Sequence, residues 1–301
     1  MKYIFNTIGL IGKSGNSEVT TTLNRIITYL RRREVRVLLD EQSAMLVHPR
    51  GMEVVSRRTL GRQCDLAIVV GGDGTLLNSA RTLVDFQVPI LGVNLGRLGF
   101  LVDVSPAEFD AQLDQILAGN YREELRSLLH AQINRNASII TEATALNDVV
   151  IHKSNMARMI EVEAFLDGQF ISAYRADGLI IATPTGSTAY ALSCGGPIVH
   201  PSLETMVLVP ICPHTLTQRP LLLSAEGVVE LHVSPSSSTE ILVTCDGQVS
   251  LEIQPSDRLM IRKKRRRLRL LHPVDYDYFE LLRAKLHWGM RPESVAGRYD
   301  R

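Results

Sequence analysis

The sequence predicts an α/β N-terminal domain with a parallel sheet, followed by a β-rich C-terminal domain. Three observations carry this reading. The first third alternates apolar strand-like runs with amphipathic helical stretches, the pattern of an open, mostly parallel sheet. Beyond about Ser127 closely spaced strand signals dominate. After His272-Pro273 the chain turns helical, and the apolar residues of that stretch need a surface. The expected organisation is an α/β domain over 1–126, a β-rich domain over 127–273, and a helical tail over 274–301 that packs back on the first domain.

The elements follow in order. Tyr3 to Ile11 reads as strand, Glu18 to Arg32 as helix and Val35 to Asp40 as strand. Asp65 to Val70, a helix from Thr75, and Val88 to Val93 continue the alternation. Ser105-Pro106-Ala107-Glu108 has the form of a capping box with Pro at the first helical position. The helix it opens would bury Phe109, Leu113, Ile116 and Leu117 and stop at Gly119-Asn120. In the second part the strand signals are Ala131 to Ile133, Val149 to His152, Met159 to Leu166, Gln169 to Tyr174, Val228 to Val233, Ile241 to Cys245 and Arg258 to Ile261. Asp167-Gly168 is a tight-hairpin signal, and Asp246-Gly247 reads as another. Tyr278 to Leu286 is the helix of the tail.

Composition sets outer bounds. With 45% hydrophobic and 22% charged residues, this is an ordinary globular chain, and 301 residues suffice for two domains. The formal net charge of +1 argues neither for nor against a polyanionic partner. Met1 to Leu10 is too short and polar for a signal peptide, and no apolar stretch is long enough to span a bilayer. The cysteines, Cys64, Cys194, Cys212 and Cys245, form no CxxC pair, and no His stands at zinc-ligand spacing. Free thiols in a reducing cytoplasm are expected.

The most specific local feature is the turn Gly71-Gly72-Asp73-Gly74, between the apolar run Leu66 to Val70 and a helical stretch with Leu76, Leu77, Ala80, Leu83 and Val84 on one face. A glycine turn at a helix N-terminus presents free N–H groups to a phosphate. The carboxylate at its centre would repel that phosphate. Asp73 therefore either has a task, holding a metal ion or accepting a proton in phosphoryl transfer, or simply caps its helix. Two other nucleotide motifs fail. Gly9 to Ser14 is too short for a Walker A loop, and Gly12 to Asn16 reads as a flexible turn. The dinucleotide fingerprint breaks at Leu77, where its third glycine belongs.

Three clusters accompany that turn. Gly92 to Leu101 is a second glycine turn at the next strand's end, so two turns could face one ligand. Asn147-Asp148 sets an amide beside a carboxylate at a strand start, either to bond a base or ribose or to form an Asx turn. Asp177 to Pro197 runs a buried strand into a loop with four hydroxyl residues among the six positions from Thr183 to Thr188. Those hydroxyls would converge on a phosphate or ribose.

Together these blocks resemble the NAD kinase family over nearly the whole chain, through the Pro213-His214-Thr215-Leu216 segment and the closing strands. The Gly-Gly-Asp-Gly turn alone is shared with diacylglycerol kinases. Its combination with Asn147-Asp148 and the Asp177 to Pro197 block is specific. The resemblance implies ATP-dependent phosphorylation of the adenosine ribose 2′-hydroxyl of NAD, with the active site in the interdomain cleft. It implies that Asp73 accepts the hydroxyl proton with Gly74 close to the ligand, and that Asn147 and Asp148 bind adenine and ribose groups. Asp177 resembles a nicotinamide-side ligand, and Arg158 and Arg175 stand at nucleotide-contacting positions. Thr188, Ala189, Tyr190, Ala191, Leu192 and Ser193 resemble the loop around the diphosphate and adenine, and Gln248 resembles a further contact. Mg2+ or another divalent cation with ATP, a homodimer or homotetramer, and a cytoplasmic setting are implied as well. The sequence displays no dedicated metal cage.

Two other readings stay open: a diacylglycerol-type lipid kinase, and a nucleotide-binding regulator without catalysis. The first lacks a basic amphipathic helix or lipidation signal, and Asp73 argues against the second. The basic run Arg262 to Arg267 is either a polyanion patch or a solvated turn between strands. Its shortness and lack of aromatic residues favour the turn, so neither a nucleic acid nor a membrane is expected as partner.

Overall fold

The structure, a computed structural model, describes residues 3–13, 17–47, 51–95, 99–104, 108–154, 159–234 and 241–289. The chain divides into two compact units. One comprises Met1–Leu76, Pro89–Glu124 and Leu270–Arg301, the other Leu77–Val88 and Leu125–Arg269.

The first unit is organised by a sheet whose described strands run, edge to edge, Glu53–Val55, Arg36–Asp40, Thr7–Gly12, Leu66–Val70, Ile90–Val93, Leu268–His272 and Arg122–Arg126. Thr7–Gly12 pairs in parallel with Arg36–Asp40 on one side and Leu66–Val70 on the other. The order of strands therefore reverses between Thr7–Gly12 and Leu66–Val70. Parallel sheets bind ligands at such a reversal, beyond the strand carboxyl ends. Gly71 leaves the sheet at this point. Leu66–Val70 is buried along its whole length. Its Ile68 and Val70 share a core with Leu23, Ile26 and Leu30 of the helix Ser17–Arg31 and with Phe109 and Leu113 of the helix Phe109–Leu117. A continuous apolar run suits a central parallel strand with covered faces. The capping-box residues 105–107 lie outside the described residues, and Glu108 occupies the N-cap with no side-chain cap bond. The helix Tyr278–Leu286 is capped by Asp277, whose carboxylate accepts from Phe279 N at 2.7 Å and Glu280 N at 3.2 Å.

The second unit is a sandwich of two antiparallel sheets. One orders its described strands Gln169–Ala176, Ile160–Leu166, Val229–Val233, Arg258–Lys263, Leu129–Arg135, Ser138–Ala145. The other orders Leu221–Ser224, Thr205–Ile211, Gly178–Ala182, Asp148–Lys153, Ile241–Cys245, Val249–Ile253. Alternate residues of the two sheets, such as Ile133, Val162 and Leu231 from one and Ile151, Leu179 and Val243 from the other, meet in a common core. Gly178–Ala182 is buried on both faces, because Ile180 and Ala182 on its outer side are covered by Ala191 and Val199. The segment around Tyr190 is thus anchored to the back of the central strand. Both Asp-Gly hairpins form, with positive φ at Asp167 and Gly168 (50° and 78°) and at Asp246 and Gly247 (54° and 59°).

Register in the first of these sheets is pinned by Asp257. Its side chain is fully buried, takes a two-pronged ion pair from Arg135 at 2.7 and 2.8 Å, and accepts from Gln254 N at 2.8 Å. The bond from Arg135 holds the Asp257 carboxyl below the usual aspartate range. Asp257→Ala is expected to destabilise the protein by about 2–4 kcal/mol, the scale of a buried charged group's lost partner. The lowered folded pKa makes this contribution complete above the ordinary aspartate pKa and lost as pH falls through the folded value. Urea denaturation of wild type and variant at neutral and acidic pH should therefore show the difference shrinking in acid. An equal difference at both pH values would remove the ion pair from the explanation.

Candidate active site

Asp73 is the first residue of the helix Asp73–Leu83, which starts where Thr75 N and Leu76 N donate to Gly72 O. Its carboxylate reaches across to the second glycine turn. Oδ2 accepts from Phe100 N at 2.9 Å and Oδ1 from Leu101 N at 3.0 Å. Gly99 permits this approach, since a Cβ there would lie 2.2 Å from Asp73 Oδ1. The two turns that the sequence set at neighbouring strand ends thus meet, and the carboxylate is what joins them. Its orientation is set by main-chain groups rather than by a mobile side chain. Gly74 beside it is exposed.

In the second unit, a cleft of about 380 Å³ is lined by Asn147, Asp148, His152, Tyr190 and Asp246, among others. Asn147 Oδ1 is buried there without a hydrogen-bond partner. Such an atom costs free energy unless something donates to it. Asp148 is buried, and burial, then the neighbouring Asp246 charge, pushes its carboxyl up to about 7. Asp246 itself has a fully buried side chain. It accepts from Leu146 N at 3.1 Å, Asn147 N at 2.7 Å and Asp148 N at 3.3 Å, and is ion-paired to Arg81 at 2.9 Å.

The hydroxyl loop behaves differently from its sequence expectation. Thr183 Oγ1 donates to Leu146 O at 2.6 Å, Ser187 Oγ to Pro184 O at 2.7 Å, and Thr188 Oγ1 to Thr185 O at 3.2 Å. These hydroxyls knit the loop to itself and to the strand entrance rather than standing free. Gly186 allows the closest approach, because a Cβ there would lie 2.1 Å from Asn147 O. Ala189 and Tyr190 line the cleft with Asn147 and Asp148. Burial raises the Tyr190 phenol. Ala191 is buried, Leu192 half-buried and Ser193 exposed.

The other sequence candidates are placed as follows. Asp177 Oδ1 lies 2.6 Å from Lys153 Nζ. Arg175 is exposed, with a long contact to Glu161 at 3.8 Å. Gln248 Oε1 accepts from Arg81 at 2.7 Å. Arg158 lies outside the described residues. In the basic run, Lys263 pairs with Glu204 and Glu226, Lys264 with Asp85, and Arg267 with Glu204. Sequence reasoning missed Arg81 and Asp246 as a pair. They stand 165 positions apart, and Asp246 was read only as half of a turn. Among the described residues no group of three or more His, Cys, Asp or Glu side chains could hold a metal ion.

Comparison with known proteins follows this geometry. A family model for the ATP-NAD kinase N-terminal domain matches residues 8–121, and one for the ATP-NAD kinase C-terminal domain matches residues 146–272. A NAD kinase of Chromohalobacter salexigens is 50% identical over 287 residues, 95% of this chain and 98% of that protein. A NAD kinase of Azotobacter vinelandii is 46% identical over 287 residues, 95% of this chain and 97% of its own. The structure of a NAD kinase from Archaeoglobus fulgidus in complex with ATP superposes with a TM-score of 0.72 at 27% identity, covering 93% of this chain and 98% of that one. A yeast NADH kinase complexed with NADH shares the fold, with a TM-score of 0.86 at 24% identity over 95% of this chain and 89% of that one. With both parts matched and about half its residues shared with a relative of nearly the same extent, this chain belongs to the NAD kinase family.

Proposed function

We propose that this chain transfers the γ-phosphoryl group of ATP to the 2′-hydroxyl of the adenosine ribose of NAD, giving NADP and ADP, with Asp73 as proton acceptor. The supporting observation is the Asp73 carboxylate, oriented by two main-chain N–H groups at a helix N-terminus beyond the sheet's reversal point. The 2′-hydroxyl proton passes to Asp73 as the oxygen–phosphorus bond forms and the bond to the β-phosphate oxygen breaks. Gly74, at the same helix start, lets the ligand approach the backbone.

NAD is bound by groups of the cleft. The buried Asn147 oxygen takes a donor from the adenine edge, and Asp148 bonds a ribose hydroxyl. Tyr190, with Thr188, Ala189, Ala191, Leu192 and Ser193, forms the wall for adenine and diphosphate. Asp177 serves the nicotinamide side, Arg158 and Arg175 contact nucleotide, and Gln248 adds a further contact. A divalent cation such as Mg2+ enters with ATP and neutralises phosphate charge. The described residues do not form a protein-held metal site, so no step is assigned to one.

The enzyme works as a homodimer or homotetramer in the cytoplasm. Exposed apolar side chains on edge strands support assembly: Leu221 and Leu222 on Leu221–Ser224, Phe170 on Gln169–Ala176, and Ile139 and Ile140 on Ser138–Ala145. No helix among the described residues is long and apolar enough to cross a membrane. Formation of NADP from NAD, ATP and Mg2+ by the purified protein tests the activity. Light scattering of the active enzyme tests the assembly, and a single-chain mass at full activity would refute it.

Asp73→Asn keeps the size of the side chain, loses the proton acceptor and turns one of the two acceptors of main-chain N–H into a donor. It is expected to lower kcat by about 10²- to 10⁴-fold, the usual worth of a general base, with the Kd for NAD unchanged. Near-normal turnover would reject the assignment. Asp148→Ala should raise the KM for NAD by the equivalent of about 1.5–3 kcal/mol while kcat is largely kept. Should kcat collapse with KM intact, Asp148 belongs to the chemistry instead.

Asp148 also predicts a pH effect on stability. The unfolded chain ionises it near the ordinary aspartate value, the folded chain only near about 7. The stability of the neutral form is complete below the unfolded value and is lost as pH rises through the folded one. Asp148→Asn never ionises. Its Tm should exceed that of wild type increasingly as pH rises from about 4 to about 7, and the gap should then level off. A pH-independent gap would count against a buried, late-ionising carboxyl.

A further inference from the structure

Asp246 holds three consecutive main-chain N–H groups, those of Leu146, Asn147 and Asp148. Its own N–H donates to Asp148 O at 2.9 Å, and Cys245 pairs with Val149 in the adjoining ladder. The hairpin turn is thus locked onto the residues that carry the cleft's amide and carboxylate. A carboxylate with no exposed side-chain surface is costly unless donors surround it, and a buried cation is the strongest of these. Arg81 supplies it. Its guanidinium, about nine-tenths buried, bonds Asp246 Oδ2 through Nη1 at 2.9 Å and Gln248 Oε1 through Nη2 at 2.7 Å. The fork grips the hairpin on both sides of Gly247. Arg81 lies on the helix Asp73–Leu83, whose first residue is the proposed base.

We propose that Arg81 is a positioning residue for NAD: through Asp246 it fixes the backbone of Leu146, Asn147 and Asp148, and so places the two side chains that recognise the adenosine part of the dinucleotide. This rests on the reading that Asn147 and Asp148 bind NAD. It also gives Gln248 a second duty, as the other anchor of the guanidinium. Arg81 itself touches no substrate. Without it, the buried Asp246 carboxylate loses its side-chain donor and the tie to the helix, and is held by main-chain amides alone. This loosens the Asn147–Asp148 segment while leaving the Asp73 carboxylate on its own amides from Phe100 and Leu101. Lysine can replace the charge but not the fork, so the Gln248 contact is lost and the placement only partly restored.

The test is a comparison of steady-state constants for Arg81→Gln, Arg81→Lys, Asp148→Ala and the double variant Arg81→Gln/Asp148→Ala, at a temperature well below each Tm. The expected result for Arg81→Gln is a KM for NAD raised at least about tenfold with the KM for ATP changed less than about twofold, the signature of lost positioning on one substrate. Arg81→Lys should fall between it and wild type. The double variant should lose less than the sum of the two single losses, because both changes act on one segment while the placement of Asn147 is lost only with Arg81. If Arg81→Gln does not fold, Arg81→Gln/Asp246→Asn removes both charges, and the same selective rise for NAD is expected from its loss of an acceptor toward Leu146 N. Equal losses for NAD and ATP, a wild-type KM for NAD, or fully additive effects would overturn the proposal. If Asp148→Ala also leaves the KM for NAD unchanged, the reading of the cleft fails. If Asp148→Ala raises it and the Arg81 variants do not, only the positioning role fails.

Discussion

A buried carboxylate must be surrounded by donors or expelled from the fold. Asp246 meets that demand with three main-chain N–H groups and one guanidinium, and the geometry of the cleft beside Asn147 and Asp148 depends on it. The loop carrying Asn147 has no strand partner for those amides at this point. A side chain from a distant hairpin supplies the acceptors. The negative charge also acts on its neighbour, since the Asp246 charge adds to burial in raising the Asp148 carboxyl. One interaction therefore sets both the shape of the cleft and the protonation of a group inside it.

The same device recurs through the molecule. Asp65 accepts from Asn6 N and Thr7 N, Asp167 from Val228 N, and Asp73 from Phe100 N and Leu101 N. In each case an aspartate at a turn or strand start captures the amides of a segment elsewhere in the chain. Asp73 is the member of this set proposed as the base. The bonds that fix its place are the bonds that aim it, so the proposed base needs no separate positioning side chain. Gly99 is the condition for this arrangement, because any side chain there collides with the carboxylate.

The sequence was most readable where local pattern and tertiary role agree. The run Leu66 to Val70 is apolar because both its faces are covered, and its end at Gly71 is marked by the change to glycine. The Asp-Gly hairpins needed only two residues to declare themselves. Legibility failed where long-range bonds decide. The first strand was expected from Tyr3 and begins at Thr7, because the amides of Asn6 and Thr7 turn to Asp65 instead of a ladder. The helix Arg57–Gln63 has one fully buried apolar residue, Leu60, and so shows no period. The strands Arg122–Arg126 and Ser138–Ala145 are polar or exposed along most of their length and alternate weakly. In the candidate site, glycine and hydroxyl residues marked the segments in the sequence. The direction of each hydroxyl, and the pairing of Arg81 with Asp246, depend on packing that no spacing encodes.

The strand Leu268–His272 has a consequence for the order of events in synthesis. It lies between Ile90–Val93 and Arg122–Arg126, with Leu270 and Leu271 registered on Ile90 and Leu91. A ribosome has released residues 90 to 126 long before it reaches 268. Until then Ile90–Val93 ends in an open, apolar edge, and Arg122–Arg126 has no strand to join. The first sheet is closed by a strand late in the chain, a contact of high sequence separation that forms slowly. The nascent protein therefore carries an unpaired parallel edge through most of its translation. That interval is the one in which chaperones or a neighbouring nascent chain can bind it.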